Sequence, residues 1–84
     1  MTLSRESHFR IWLAEQNRWS SKAQNDLVSR LKRADRLRAV DAASSVDEYL
    51  GSLEVSAEWI AIPRTSRTGM VAAVRLYLEW KERH

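Results

Sequence analysis

The chain has 84 residues, a net charge of +3, 44% hydrophobic and 30% charged residues, two Gly, one Pro and no Cys. That length holds one core and excludes a second domain or a deep substrate cavity. The composition does not indicate disorder, the absence of Cys excludes disulfides and thiolate metal sites, and no apolar run is long enough to span a membrane.

Residues 1–84 are therefore expected to form a single domain. Scarce Gly and Pro disfavour an all-β fold, which needs frequent turns, and favour a few helices with short connections. The N-terminal residues lack the apolar core of a secretory leader, so a cytoplasmic location is expected. Charge is distributed in blocks. Residues 1–40 carry nine bases and four acids, residues 41–63 no base and five acids, and residues 64–84 five bases and two acids. Two basic segments side by side would make a cationic face suited to a polyanion.

The first predicted helix runs from about Ser4, its candidate N-cap, to Gln16. Phe9, Trp12, Leu13 and Gln16 recur at helical spacing, and Ile11 widens that face. Asn17 to Trp19 form a turn. The second helix starts at Ser20 or Ser21, where Ser21-x-x-Gln24 fits a capping box, and continues towards Val40. Ala23, Leu27, Leu31, Ala34 and Leu37 form its apolar stripe. Lys22, Asn25, Ser29, Lys32, Arg33 and Arg36 fall opposite, with Arg30 and Arg38 on the flanks.

Asp41 to Ser45 read as a linker. Ser45-x-x-Glu48 is a second capping box and opens a third helix, in which Val46, Tyr49, Leu50, Leu53, Ala57 and Ile60 keep helical period. Pro63 ends it. Arg64-Thr65-Ser66-Arg67-Thr68 reads as a polar loop with Thr65 and Ser66 as candidate N-caps. A fourth helix follows to about Glu82. It is apolar around most of its girth, which makes it central, and Thr68, Ala72, Arg75, Glu79 and Glu82 form its narrow wet side.

No constellation for catalysis is present. His8 and His84 have no nucleophile or carboxylate at motif spacing, Gly51 and Gly69 are isolated, and no metal motif occurs. No catalytic residue, metal ligand, cofactor or small-molecule substrate is expected. The side chains opposite the apolar stripe of the second helix are those that contact phosphates, and they extend over about 20 Å at 1.5 Å per residue. The same residues also suit a solvated helix face. Arg64, Thr65, Arg67 and Thr68 at the next helix start add a local anion site. The tryptophans read mainly as core, with Trp19 and Trp59 the candidates for exposure.

Phe9-Arg10-Ile11-Trp12-Leu13, then Trp19-Ser20-Ser21-Lys22-Ala23, then Val28-Ser29-Arg30-Leu31-Lys32-Arg33-Ala34 resemble the core-binding, SAM-like N-terminal domain of phage integrases and other tyrosine recombinases. Arg64 to Thr68 and Val74-Arg75-Leu76-Tyr77-Leu78-Glu79-Trp80 match its closing helix, so the resemblance spans roughly residues 8–82. It implies a compact four-helix SAM-like bundle that grips double-stranded DNA through its second and fourth helices. The matching positions are Lys22, Asn25, Ser29, Lys32, Arg33 and Arg36, with Arg64, Thr65, Arg67 and Thr68. The recombinase catalytic domain that follows this module in the family does not lie within these residues. The expected function is thus non-catalytic DNA binding in DNA recombination or integration, with a C-terminal catalytic domain as a possible partner in a longer parent protein. The alternative is a helical protein-interaction domain that docks through the acidic third segment and the Trp59 region.

Overall fold

Serine caps, one left-handed asparagine and one proline divide the chain into its elements. The computed structural model describes residues 5–83; the expected N-cap Ser4 and the terminal His84 lie outside them. The described residues form α1 (Glu6–Glu15), α2 (Ser21–Leu37), a 3-10 turn (Val40–Ala42), α3 (Val46–Leu53), α4 (Ala57–Ala61) and α5 (Arg64–Arg83), with no strand. The architecture is all-α, as expected, with the third expected helix divided in two.

Helix α1 buries Phe9 and Leu13, half-buries Trp12, and turns Ile11 and Gln16 to solvent. Ile11 therefore does not widen the buried face. The helix ends as Asn17 takes φ 57°, a left-handed conformation that asparagine tolerates. In α2 the N-cap is Ser20, whose Oγ accepts from the Ala23 N–H at 3.2 Å. Ser21 is already helical, so the expected Ser21–Gln24 box does not form. The Gln24 amide donates instead to the Trp19 carbonyl at 3.0 Å.

Helix α2 stops at Leu37, short of the expected Val40, because Arg38 is extended at φ −158°, ψ 137°. Two side chains hold that end. The Tyr49 hydroxyl lies 2.8 Å from both the Ala34 and Arg38 carbonyls, and the Val40 N–H donates to Asp35 Oδ1 at 2.9 Å. Asp35 is only 5% exposed, so this bond satisfies a carboxylate that burial would otherwise penalise. Burial, with the nearby Asp35 charge second, pushes the Tyr49 hydroxyl well above its ordinary pKa.

Ser45 caps α3 as expected, accepting from the Glu48 N–H at 3.1 Å. The Glu48 carboxylate reaches back one residue further, to the backbone N–H and hydroxyl of Ser44. Those bonds hold its pKa below the ordinary carboxylate value. Helical period does not continue to Ile60. The chain turns at Glu54 and Val55, and Ser56 Oγ accepts from the Trp59 N–H at 3.3 Å to start α4. This resets the register. Trp59 swings inward to 7% exposure, while Ala57 and Ile60 turn out. Gly51 lies inside α3 with nothing within 4 Å of where a Cβ would stand. Gly51→Ala should stabilise the domain by about 0.5–1 kcal/mol and raise its melting temperature by about 2–8 °C, read by circular dichroism at 222 nm.

Helix α5 is central. Helix α2 packs along it, α3 packs against it, and α1 packs on α2. Phe9 bridges α1 to α5, with its ring centroid 5.2 Å from Tyr77 and 5.3 Å from Trp80. The Tyr77 hydroxyl donates to Asp41 Oδ1 at 2.7 Å, and Lys81 Nζ to the same oxygen at 3.0 Å, which pins the 3-10 turn to α5. Burial first, and the Asp41 bond second, raise the Tyr77 hydroxyl pKa. No described helix is long and apolar enough to cross a membrane.

Candidate nucleic-acid interface

Helix α2 presents Lys22, Asn25, Ser29, Arg33 and Arg36 on its exposed side, with Lys32 half-buried at the edge facing α1. The buried side is centred on Val28, Leu31 and Ala34. Val28 is fully buried.

Two of these six residues are already engaged. Lys32 Nζ lies 3.2 Å from Glu6 Oε1, and Asn25 Oδ1 accepts from Arg10 Nη1 at 3.3 Å. Arg10 Nε also pairs with Glu6 at 3.1 Å. Burial would raise the Glu6 pKa, but the hydrogen bonds from Arg10 and Lys32 outweigh it and hold the carboxylate below its ordinary value. Glu6 thus offsets part of the stripe's charge, while Arg10 adds a guanidinium beside Asn25. Lys22, Arg33 and Arg36 have no ion pair among the described residues.

Residues 64–68 are not a loop. They are the first turn of α5, so Thr65 and Ser66 lie inside the helix and are not its N-caps. Proline explains the difference. Ile62, preceding Pro63, is extended at φ −76°, ψ 133°, which ends α4. The fixed φ of Pro63 then suits an immediate helix start, and the Arg67 N–H donates to its carbonyl at 3.0 Å. Pro63 has no side-chain acceptor. The first N–H groups of α5, at Arg64, Thr65 and Ser66, have no intrahelical acceptor, and the positive end of the helix dipole lies with them.

The first turn of α5 divides its side chains between two grooves. On the α2 side, Arg30 and Arg33 line a groove of about 330 Å³ together with Thr65, Ser66 and Gly69. Arg30 reaches this position across Gly69, where an added Cβ would stand 3.2 Å from its Cδ and Nε. The Asp26–Arg30 pair that their spacing allowed is absent among the described residues, and Arg30 turns to α5 instead. On the α4 side, Arg64, Arg67 and Thr68 line a second groove of about 340 Å³ with Trp59 and Val71. Arg67 Nε is buried there without a hydrogen-bond partner, and Thr68 Oγ1 donates to the Arg64 carbonyl at 3.0 Å.

The ten expected DNA-binding residues are distributed over α2 and the two grooves at the start of α5. Arg33 and Thr65 line the groove between α2 and α5, Lys22, Ser29 and Arg36 lie on the exposed side of α2, and Asn25 and Lys32 are tied to α1. Arg64, Arg67 and Thr68 flank the same helix start from the α4 side. Sequence reasoning left Arg10 and Arg30 out of the binding set. The signal for Arg30 was Gly69, a bare position in an otherwise well-covered helix, which lets a long side chain cross. Trp19 is half-buried, with its ring 6.3 Å from that of Trp12 and the Arg18 guanidinium 4.7 Å from its centroid.

Among the described residues no three His, Cys, Asp or Glu side chains gather closely enough to hold a metal ion. No family model, no curated protein and no solved structure matches the chain.

Proposed function

We propose that the chain is a non-catalytic module that binds double-stranded DNA mainly through its phosphates. The observation that carries this reading is the meeting of Arg30 and Arg33 of α2 with Thr65 and Ser66 at the proline-preceded start of α5. Two guanidiniums, two hydroxyls and a helix N-terminus are all groups that bind phosphate oxygens. Lys22, Ser29 and Arg36 extend the cationic side along α2, so one backbone strand would follow the helix and pass the start of α5 beside Arg30 and Arg33. Arg64, Arg67 and Thr68 would meet phosphates approaching from the other flank. The resemblance to the core-binding domain of phage integrases and tyrosine recombinases supports the same arrangement. It adds a role in DNA recombination or integration, with chemistry supplied by a catalytic domain elsewhere in a longer protein.

The test is duplex binding by fluorescence anisotropy with Arg30→Ala and Arg83→Ala. Arg83 lies about 28 Å along the α5 axis from Arg64, at 1.5 Å per residue. Arg30→Ala should weaken binding and reduce the slope of log K against log salt by about 0.9, while Arg83→Ala leaves both unchanged. Equal effects from the two variants would refute the assigned face.

A further inference from the structure

Two polar links tie α1 to the edge of α2. Glu6 Oε1 lies 3.2 Å from Lys32 Nζ, and Asn25 Oδ1 accepts from Arg10 Nη1 at 3.3 Å. Arg10 Nε donates to Glu6 Oε2 at 3.1 Å, which joins the two links into one cluster. Both oxygens of the carboxylate are thus held by cations, one by an ammonium and one by a guanidinium. The exposed Ser29 stands between Asn25 and Lys32 on α2, four residues after one and three before the other. The cluster is open to solvent: the Lys32 and Arg10 side chains are 41% and 43% exposed, and that of Glu6 is 20% exposed. Ion pairs this exposed hold weakly. The bond from Arg10 to Asn25 orients the guanidinium independently of Glu6, and the Asn25 Nδ2 donors have no partner among the described residues.

We infer that Arg10, Asn25 and Lys32 form a further phosphate site at the α1 edge of the α2 stripe, and that Glu6 occupies it in the free protein. The identity of the ligand, a backbone phosphodiester, rests on the DNA reading above, whereas the anion site rests on the cluster itself. A phosphodiester presents two anionic oxygens, as the Glu6 carboxylate does, so it meets the same two cations. Asn25 Nδ2 and Ser29 Oγ add neutral donors of the kind that contact phosphates. Glu6 is the first residue of α1, where the positive end of the helix dipole favours an anion of either kind. Tethered beside its cations, Glu6 competes with the phosphate and lowers affinity. Helix α1 is thereby a third element of the interface, beside α2 and the start of α5.

Duplex binding by fluorescence anisotropy with Glu6→Gln tests this. The variant should bind about 5–15-fold tighter than the parent at about 50 mM salt and steepen the slope of log K against log salt by about 0.9, the share of one further phosphate. Glu79→Gln makes the same change in net charge on the exposed side of α5, and it should shift affinity by less than about 2-fold. Lys32→Ala in the Glu6→Gln background should remove most of the gain, with helical circular dichroism unchanged in all three variants. A parent that binds duplex while Glu6→Gln gains less than about 2-fold, or no more than Glu79→Gln, overturns the site and leaves the DNA reading standing. A folded parent that binds no duplex overturns the DNA reading, and immobilised heparin, a sulfated polyanion, then decides the site. Glu6→Gln should elute from it at higher salt than Glu79→Gln, and equal elution overturns the inference.

Discussion

Reversing Arg33 and Arg36 to glutamate should lower affinity for duplex DNA by about 200-fold or more at about 50 mM salt, with the helical spectrum unchanged. The size follows from counterion release. Each phosphate neutralised contributes a salt exponent of about −0.9, which amounts to about 15-fold at 50 mM relative to 1 M salt. Two phosphates left without their arginines therefore multiply to about 200-fold, and the introduced carboxylates add repulsion. Both arginines are exposed, and neither has an ion pair among the described residues. Surface charge changes of this kind usually alter stability by less than about 0.5 kcal/mol. A fall of less than about 3-fold, with the protein folded, would mean that the outer face of α2 is only solvated.

Phe9→Ala should cost about 3–5 kcal/mol, because it removes a fully buried ring and leaves a cavity. Phe9 is 1% exposed and packs on Tyr77 and Trp80 of α5 and Trp12 of its own helix, so its loss detaches α1 from the centre of the fold. A domain of this length has a total stability of about 4–13 kcal/mol at the usual 0.05–0.15 kcal/mol per residue. The variant should therefore melt about 15–30 °C lower, or be unfolded at 25 °C. Thermal denaturation followed at 222 nm reads this directly. A shift below about 5 °C would show that α1 is not part of the cooperative core. The same variant should lose DNA binding through unfolding, which is why the arginine variants must be judged with the fold verified.

Much of the fold was legible because its signals are local. Ser45 capped α3, Asn17 closed the first connection, and the apolar girth of the last helix marked it as central. The wet residues Thr68, Ala72, Arg75, Glu79 and Glu82 are all exposed, as their spacing requires. The third segment was misread because helical period can pass through a three-residue turn without an apolar mismatch. Ser56 was the overlooked stop, and its cap exchanged the expected inward Ile60 for Trp59. The first turn of α5 was misread because serine and threonine are better caps than proline, yet proline set the backbone.

The candidate site was legible in composition and less so in grouping. Spacing on α2 identified the outward face but gave no sign that Asn25 and Lys32 would be taken up by Arg10 and Glu6. That depends on how α1 lies across α2, a tertiary relation absent from either helix alone. Arg30 was assigned a flanking role for the same reason, since only the approach of α5 at Gly69 shows where its side chain goes. The docking reading based on Trp59 also changes. The indole is buried, and the exposed apolar groups of that region are Val55 and Ile60.

The central claim, that this chain holds DNA by its phosphates through Arg30, Arg33, Arg36 and the start of α5, is tested most directly by the salt dependence of duplex binding. With three arginines each neutralising one phosphate, the slope of log K against log salt should be about −2.7 or steeper, so that affinity falls about 40-fold or more between 50 and 200 mM. A slope near zero, or no detectable binding at 50 mM by the folded protein, would contradict it.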